Sequence, residues 1–298
     1  TTIGKYINSS DTTTFTTSTI NTVVQSGQTI YGVSGVVPLT GANVISGNYI
    51  GTNATGTSAL GNGRNGIYLN LSNVASNNVI GGTTAAARNV ISANGWSGIF
   101  VEGAAGTVIR GNFIGTNAAG NGALGNLLDG ILINLGRLTQ VGGTTAGTGN
   151  RIAFNGRNGI SITGASATRN SIHRNSIYQN SFLGIDLGNN GITPNDALDP
   201  DNGPNGLQNF PALTSATSAT RVIVGQLRSK AIQTYTLDFY SSPTCDPSHY
   251  GEGKTFLGSF NVTTNGTGVA NFNRAVPGAF PVGSKITATA TDAVGNTS

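Results

Sequence analysis

The sequence predicts an all-β chain, a right-handed parallel β-helix of about six coils with three short strands per coil, followed by a small antiparallel β-sandwich. Three observations predict it. Forty-five of the 298 residues are Gly and only 9% are charged, against about a quarter charged in an average globular chain. Two long blocks recur within the chain. An aliphatic residue after a Gly opens a short alternating strand at a regular interval.

The composition speaks for many short strands joined by tight corners. Gly and Asn supply positive-φ turns, and Thr and Ser face water. Low charge with persistent Val, Ile and Leu is not the signature of disorder. The net charge of +4 comes from fifteen scattered Lys and Arg against eleven acids. No basic run with interleaved aromatics is present, so nucleic acid is not an expected partner. Lysines occur only at Lys5, Lys230, Lys254 and Lys285, so the central region offers no lysine patch for phosphate or membrane. Cys245 is the only cysteine, which excludes an intramolecular disulfide. No stretch approaches the roughly 18 apolar residues of a membrane span. No signal peptide or initiator Met is visible, and the expectation is a mature, processed or truncated secreted chain.

The repeat carries the fold. Residues 47–69 (GNYIGTNATGTSALGNGRNGIYL) match residues 111–133 at 14 of 23 positions, offset by 64. Residues 80–101 match 141–162 at 11 of 22 positions, offset by 61. Within these blocks Gly-aliphatic steps fall at Val36, Ile67, Ile99, Ile131, Ile160 and Ile185, at intervals of 31, 32, 32, 29 and 25. Each interval holds three short apolar pieces, as in GIFVEG, TVIRG and NFIGTN. Such coils cannot bury their inner faces alone and must stack.

Side chains alternate along a strand. If the isoleucines point inward, so do Leu69, Val101, Ile133, Ile162 and Leu187. Tyr68, Phe100, Leu132, Ser161 and Asp186 then point outward, followed by Asn70, Glu102, Asn134 and Thr163. Loops such as ATGTSALGNG and TTAAAR form ridges along the solenoid.

The chain divides into N-terminal capping strands (1–34), the solenoid (35–190), an Asp, Pro and Gly-rich linker (191–212) and a sandwich (213–298). The last is predicted by VIVGQL, YTLDFYS, FLGSFNVTT, GVANFNRAV and KITATATDA, strand-length segments separated by turn signals. The strings GNYIGTNATGTSALGN, IGGTTAAARNVIS and GIDLGNNGITPNDALDPDNGPNGLQNFPAL resemble bacterial secreted β-helix repeat proteins of the pectin-lyase-like superfamily. The tail FYSSPTCDPSHYGEGKTFLGSFNVTTNGTG with ITATATDAVGNTS resembles the Ig-like domain that often follows such repeats. The resemblance covers roughly residues 36 to 298; it implies an Ig-like β-sandwich and a large, surface-attached protein, without implying an activity.

Many pectin-lyase-like solenoids cleave acidic polysaccharides, so an enzyme is the competing expectation. Glycoside hydrolysis needs two carboxyl groups about 5 to 9.5 Å apart. Between residues 12 and 190 the acids are Glu102, Asp129 and Asp186. With coils about 4.8 Å apart and about 3.3 Å per strand residue, Glu102 lies roughly 14 Å from Asp186 and roughly 16 Å from Asp129. No pair is expected to converge. A calcium-assisted lyase would need an acid cluster beside a base; arginines such as Arg110 and Arg174 are present, the cluster is not. His173 reads as an exposed or hydrogen-bonded surface residue. Cys245, Asp246 and His249 have no recognised ligand spacing.

Two binding features remain. Tyr68, Phe100 and Leu132, strengthened by Trp96, form an outward stripe that either supports the sheet or docks a sugar or a protein. In NDALDPDNGPNG, Asp196, Asp199, Asp201 and Asn205 offer oxygen ligands for a structural calcium, or else build an Asx-turn linker. No cofactor is otherwise required. The expectation is therefore a non-catalytic extracellular or cell-surface structural or adhesive protein, with the solenoid as rigid spacer or binding face. Expected partners are further copies of the chain in a filament or sheath, other cell-surface proteins, or a glycan, with no membrane insertion. The Thr-rich N-terminus either caps its own helix or adds to a neighbouring subunit as a strand.

Overall fold

The structure, a computed structural model, describes residues 43–70, 76–248 and 250–298. Three parallel sheets of five strands each run through the first part of the chain. The first stacks Val44–Ile45, Val79–Gly81, Val108–Arg110, Gln140–Gly142 and Ser171–His173. The second stacks Tyr49–Ile50, Val90–Ile91, Phe113–Ile114, Arg151–Ala153 and Ser176–Tyr178. The third stacks Ile67–Leu69, Ile99–Glu102, Ile131–Asn134, Ile160–Thr163 and Ile185–Leu187. The chain visits the three sheets in turn on every coil, which is a parallel β-helix. Each sheet holds five rungs among the described residues; the coil expected to open at Val36, and the N-terminal cap of residues 1–34, lie outside them.

The register matches the repeat. Ile67, Ile99, Ile131, Ile160 and Ile185 are direct neighbours across the third sheet. Ile80, Ile109, Val141 and Ile172 do the same in the first sheet, and Ile50, Ile91, Ile114, Ile152 and Ile177 in the second. These columns form one buried cluster with no aromatic member. Strands this short persist because aliphatic side chains of like shape stack rung on rung. Each fully buried one contributes about 1.5–3 kcal/mol.

The corners are held by polar side chains. Asn62, Asn94, Asn126, Asn155 and Asn180 each precede a core isoleucine by five residues and form one ladder. In it the Nδ2 of each asparagine donates to the Oδ1 of the next at 2.8–2.9 Å. A second ladder runs through Asn48, Asn89, Asn112, Asn150 and Asn175 at 2.9–3.0 Å. At the third corner the Oδ1 of Asn170 accepts from the Thr139 N–H at 3.0 Å, and that of Asn205 accepts from the Asn170 N–H at 3.0 Å. Where this column turns to threonine, the buried hydroxyls of Thr107 and Thr139 have no partner. At Gly115, φ is +82° and an added Cβ would stand 2.0 Å from the Ala153 carbonyl oxygen; only glycine lets the coils approach so closely there.

The predicted ridges are small hairpins. Thr52 bridges Ala59 and Thr116 bridges Ala123, both antiparallel. The Ala118 N–H donates to the Gly56 carbonyl at 2.9 Å, so one ridge stacks on the next.

From Ala212 two three-stranded antiparallel sheets follow. One orders Ala212–Thr217, Val222–Arg228 and Val269–Ala275; the other orders Thr255–Thr263, Thr234–Ser242 and Lys285–Asp292. Ile223 and Phe272 of the first share a core with Phe239, Leu257 and Ala290 of the second.

This C-terminal part closes the end of the β-helix. The last rung of the second sheet donates its Ile177 N–H to the Gly253 carbonyl at 2.9 Å. The asparagine ladder ends on Glu252, whose Oε1 accepts from Asn180 N–H at 3.0 Å and Asn180 Nδ2 at 2.8 Å. The last rung of the first sheet donates its Ile172 N–H to Thr297 Oγ1 at 2.9 Å. The N–H groups of Ile172, Ile177 and Asn180, which a further coil would pair, are thereby satisfied.

Candidate functional site

The outward column of the third sheet stands in register. Tyr68 is paired to Phe100, Phe100 to Leu132, Leu132 to Ser161 and Ser161 to Asp186. The Tyr68 and Phe100 rings stack at 5.0 Å and 19°. Trp96 stands 43% exposed, with the Arg64 guanidinium 5.0 Å from its ring centre. The Tyr68 hydroxyl donates to Glu102 Oε2. That hydrogen bond, burial and the nearby negative charge push the phenol up to about 12. Tyr68, Phe100 and Leu132 thus share one column, in which the first aromatic pair is partly occupied by mutual stacking, and Trp96 stands at the corner before that strand.

Further along the same column the face turns polar. Asp129 Oδ1 accepts from Ser161 Oγ at 2.9 Å and from the Asn158 N–H at 3.2 Å. Asn158 Nδ2 donates to Ser161 Oγ at 3.0 Å and to Asp186 Oδ2 at 3.2 Å. Asp129 and Asp186 are thus linked through Asn158, which bonds to both. Burial is the largest influence on Asp129 and raises its pKa, against the lowering effects of Ser161, Arg157 and the Asn158 N–H.

This pair is closed to substrate. Asp129 is 1% and Asp186 4% exposed. Asp186 also takes the Asn190 N–H at 3.3 Å and the Gly191 N–H at 3.1 Å. Its oxygens fasten the turn after the last strand. Glycoside cleavage needs carboxyl groups open to a sugar and a water; these two face protein donors.

Of the residues after the solenoid, Asp196 and Asp199 share Asn209 as a donor, while Asn205 does not join them. Asp199 is buried, and its Oδ2 accepts from Gln208 Nε2 at 2.9 Å and from Ser229 Oγ. Asn205 turns the other way, its Nδ2 donating to the carbonyls of Asn170 at 2.7 Å and Thr297 at 2.9 Å. Asp196 pairs with Asn209 through its backbone N–H at 3.1 Å, and Asp201 is half-buried. Among the described residues no three His, Cys, Asp or Glu side chains stand together as a metal site. Asn205 is instead the final rung of the third corner ladder.

Of Arg110 and Arg174, Arg110 keeps a buried Nε without a hydrogen-bond partner among the described residues, and Arg174 is engaged. Arg174 lies 4.4 Å from the Phe256 ring centre and donates to the Thr144 carbonyl at 2.7 Å. His173 Nδ1 meets Asp238 Oδ2 at 2.9 Å, joining solenoid to C-terminal part. Cys245 is exposed and free; His249 lies outside the described residues.

Glu252 escapes sequence reasoning. It is 7% exposed, and burial, the first cause, with the Asp246 charge pushes its carboxyl up to about 7 against the lowering hydrogen bonds from Asn180. Nothing in its own loop marks it. The constant five-residue spacing of the asparagines is the available signal, because such a ladder must end on an acceptor for Asn180.

No family model matches the chain, and no curated protein sequence matches it. Among the described residues no helix is long and apolar enough to cross a membrane.

Proposed function

We propose that the chain is a non-catalytic extracellular structural or adhesive protein, in which the β-helix serves as a rigid spacer and binding face. The observation that carries this reading is that Asp129 and Asp186 are buried and taken up by internal hydrogen bonds. Glu102, the remaining acid of residues 43–190, holds the Tyr68 hydroxyl. Three corner ladders give length and stiffness at low charge. The resemblance of the repeats to secreted pectin-lyase-like proteins, and of the tail to Ig-like domains, supports a place outside the cell. The stripe of Tyr68, Trp96, Phe100 and Leu132 is the face such a protein would offer to a glycan or a surface protein. Copies joined end to end would make a filament or sheath.

A polysaccharide lyase or hydrolase is the second reading, favoured by the shared Asn158 between Asp129 and Asp186. Incubation with acidic and neutral glycans, read by new reducing ends and unsaturated products, separates the two. No turnover is expected; turnover lost in Asp129→Asn would overturn the scaffold reading.

A further inference from the structure

A solenoid that ends exposes its interior, because no further coil covers the last rung. Here the C-terminal part pairs with the rim through Gly253, Glu252 and Thr297, and the middle stays open. A cavity of about 360 Å³ remains between them. Its floor is the end of the β-helix core, including Ile172, Ile177 and Leu187, and its roof includes Phe210 and Ile286. Volume, a largely apolar lining with a few polar groups and position between two structural units are those of a small-molecule site.

The lining is mixed, with Asn175, Thr193, Gln208 and Tyr240 beside the aliphatic residues, and two of its polar groups, Glu252 and Thr289, are informative. Glu252 borders the cavity, and its Oε1 takes both Asn180 hydrogen bonds, leaving Oε2 out of the ladder. The influences on its carboxyl are burial, the Asn180 and Gln179 hydrogen bonds and the repelling Asp246, with no cation among them. The Lys254 ammonium lies over the Tyr178 ring at 4.6 Å. Arg174 is on Phe256, and His173 is on Asp238, which also accepts from the Tyr240 hydroxyl at 3.4 Å. Thr289 Oγ1, also on the lining, is buried without a partner. Among the described residues this buried carboxyl has no counter-ion, and beside the aliphatic side chains of the chamber it is complementary to a cation carried on a hydrocarbon.

We propose that the chamber at the end of the β-helix binds a small hydrophobic primary amine, its hydrocarbon against Ile172, Ile177 and Ile286 and its ammonium on Glu252. The inference does not depend on the scaffold reading, since a cavity at the far end of the solenoid is compatible with either function.

The test is calorimetric titration of the whole chain at pH 7.5 with n-octylamine, n-octanol and n-octanoate, with thermal melts alongside. Octylamine is expected to bind saturably, one per chain, and to raise the melting temperature. It should bind about tenfold more tightly than octanol, as a charge-assisted hydrogen bond requires, and octanoate should not bind. Glu252→Gln, which keeps the acceptor for Asn180, should remove the preference for the amine, and Ile286→Trp, which fills the chamber, should remove binding of both. The proposal is overturned if octylamine does not saturate, if octanol or octanoate binds as well, or if either variant keeps full octylamine affinity. Should a variant fail to fold, the comparison of the three ligands on the unaltered chain still decides.

Discussion

The β-helix and the C-terminal sheets are both all-β, yet they hold themselves together by opposite means. The solenoid uses strands of two to four residues, a core of Ile, Val, Leu and Ala, and asparagine ladders at its corners. The C-terminal part uses strands of six to nine residues and an aromatic core around Tyr235, Phe239 and Phe272. The difference follows from repetition. Stacked coils must place the same shape on the same shape, so branched aliphatic residues and amides that donate upward and accept from below are favoured. A two-sheet core is closed by irregular complementarity, for which large rings serve well. The solenoid therefore depends on neighbours at every level, and its ends are its weak places.

The strongest way to break this comparison is in the middle of a ladder. Asn126 Nδ2 donates to Asn155 Oδ1 and the Ile91 carbonyl, while its Oδ1 accepts from Asn94 N–H and Nδ2. Asn126→Ala leaves several of these buried groups unpaired and should cost about 4 kcal/mol, as much as Phe239→Ala costs the C-terminal core. Urea unfolding would give both values. A loss below about 1 kcal/mol at Asn126 would mean that the ladder is ornament on a core sufficient by itself.

The next effect lies at the contact between the two regions. Glu252 is raised from 4.5 to about 7, so the folded state favours its neutral form. The stability this gives is full below pH 4.5, falls as pH rises towards 7 and is absent above it, a span of about 3 kcal/mol. Glu252→Gln keeps the acceptor and loses the titration. The difference in stability between the two proteins should change across that window in urea melts; a constant difference would contradict the burial described for Glu252.

The smallest effect sharpens the view of the outer face. Phe100→Ala removes the stack on Tyr68 and should cost about 1 kcal/mol. If the stripe is a binding face, retention on a glycan or partner-coated surface falls by more than this loss of stability explains.

Much of this was legible in the sequence. The outward order Tyr68, Phe100, Leu132, Ser161 and Asp186 is the observed register, because a period of two leaves no freedom once the isoleucines face inward. The five strand-length segments of the tail fall on five observed strands. Less legible was whatever depended on corners. Distances along straight strands place Asp129 far from Glu102 and do not reach its corner, where it accepts from the Ser161 hydroxyl. Asn205 read as a cation ligand because oxygen-rich turns look alike in sequence, whether they hold an ion or the backbone of the coil beside them. Glu252 was out of reach because its partner Asn180 lies 72 positions away, and no local pattern reports a contact of that kind.

The central claim is that the C-terminal part acts as the next coil of the β-helix, continuing both a strand and a ladder. Amide hydrogen exchange on the whole chain tests it directly at Ile177 and Asn180, whose N–H groups donate to Gly253 and Glu252. Protection there comparable to that of Ile152 and Asn155, one coil inside, is the predicted result. Exchange as fast as that of an exposed turn, with the inner coils still protected, would contradict it.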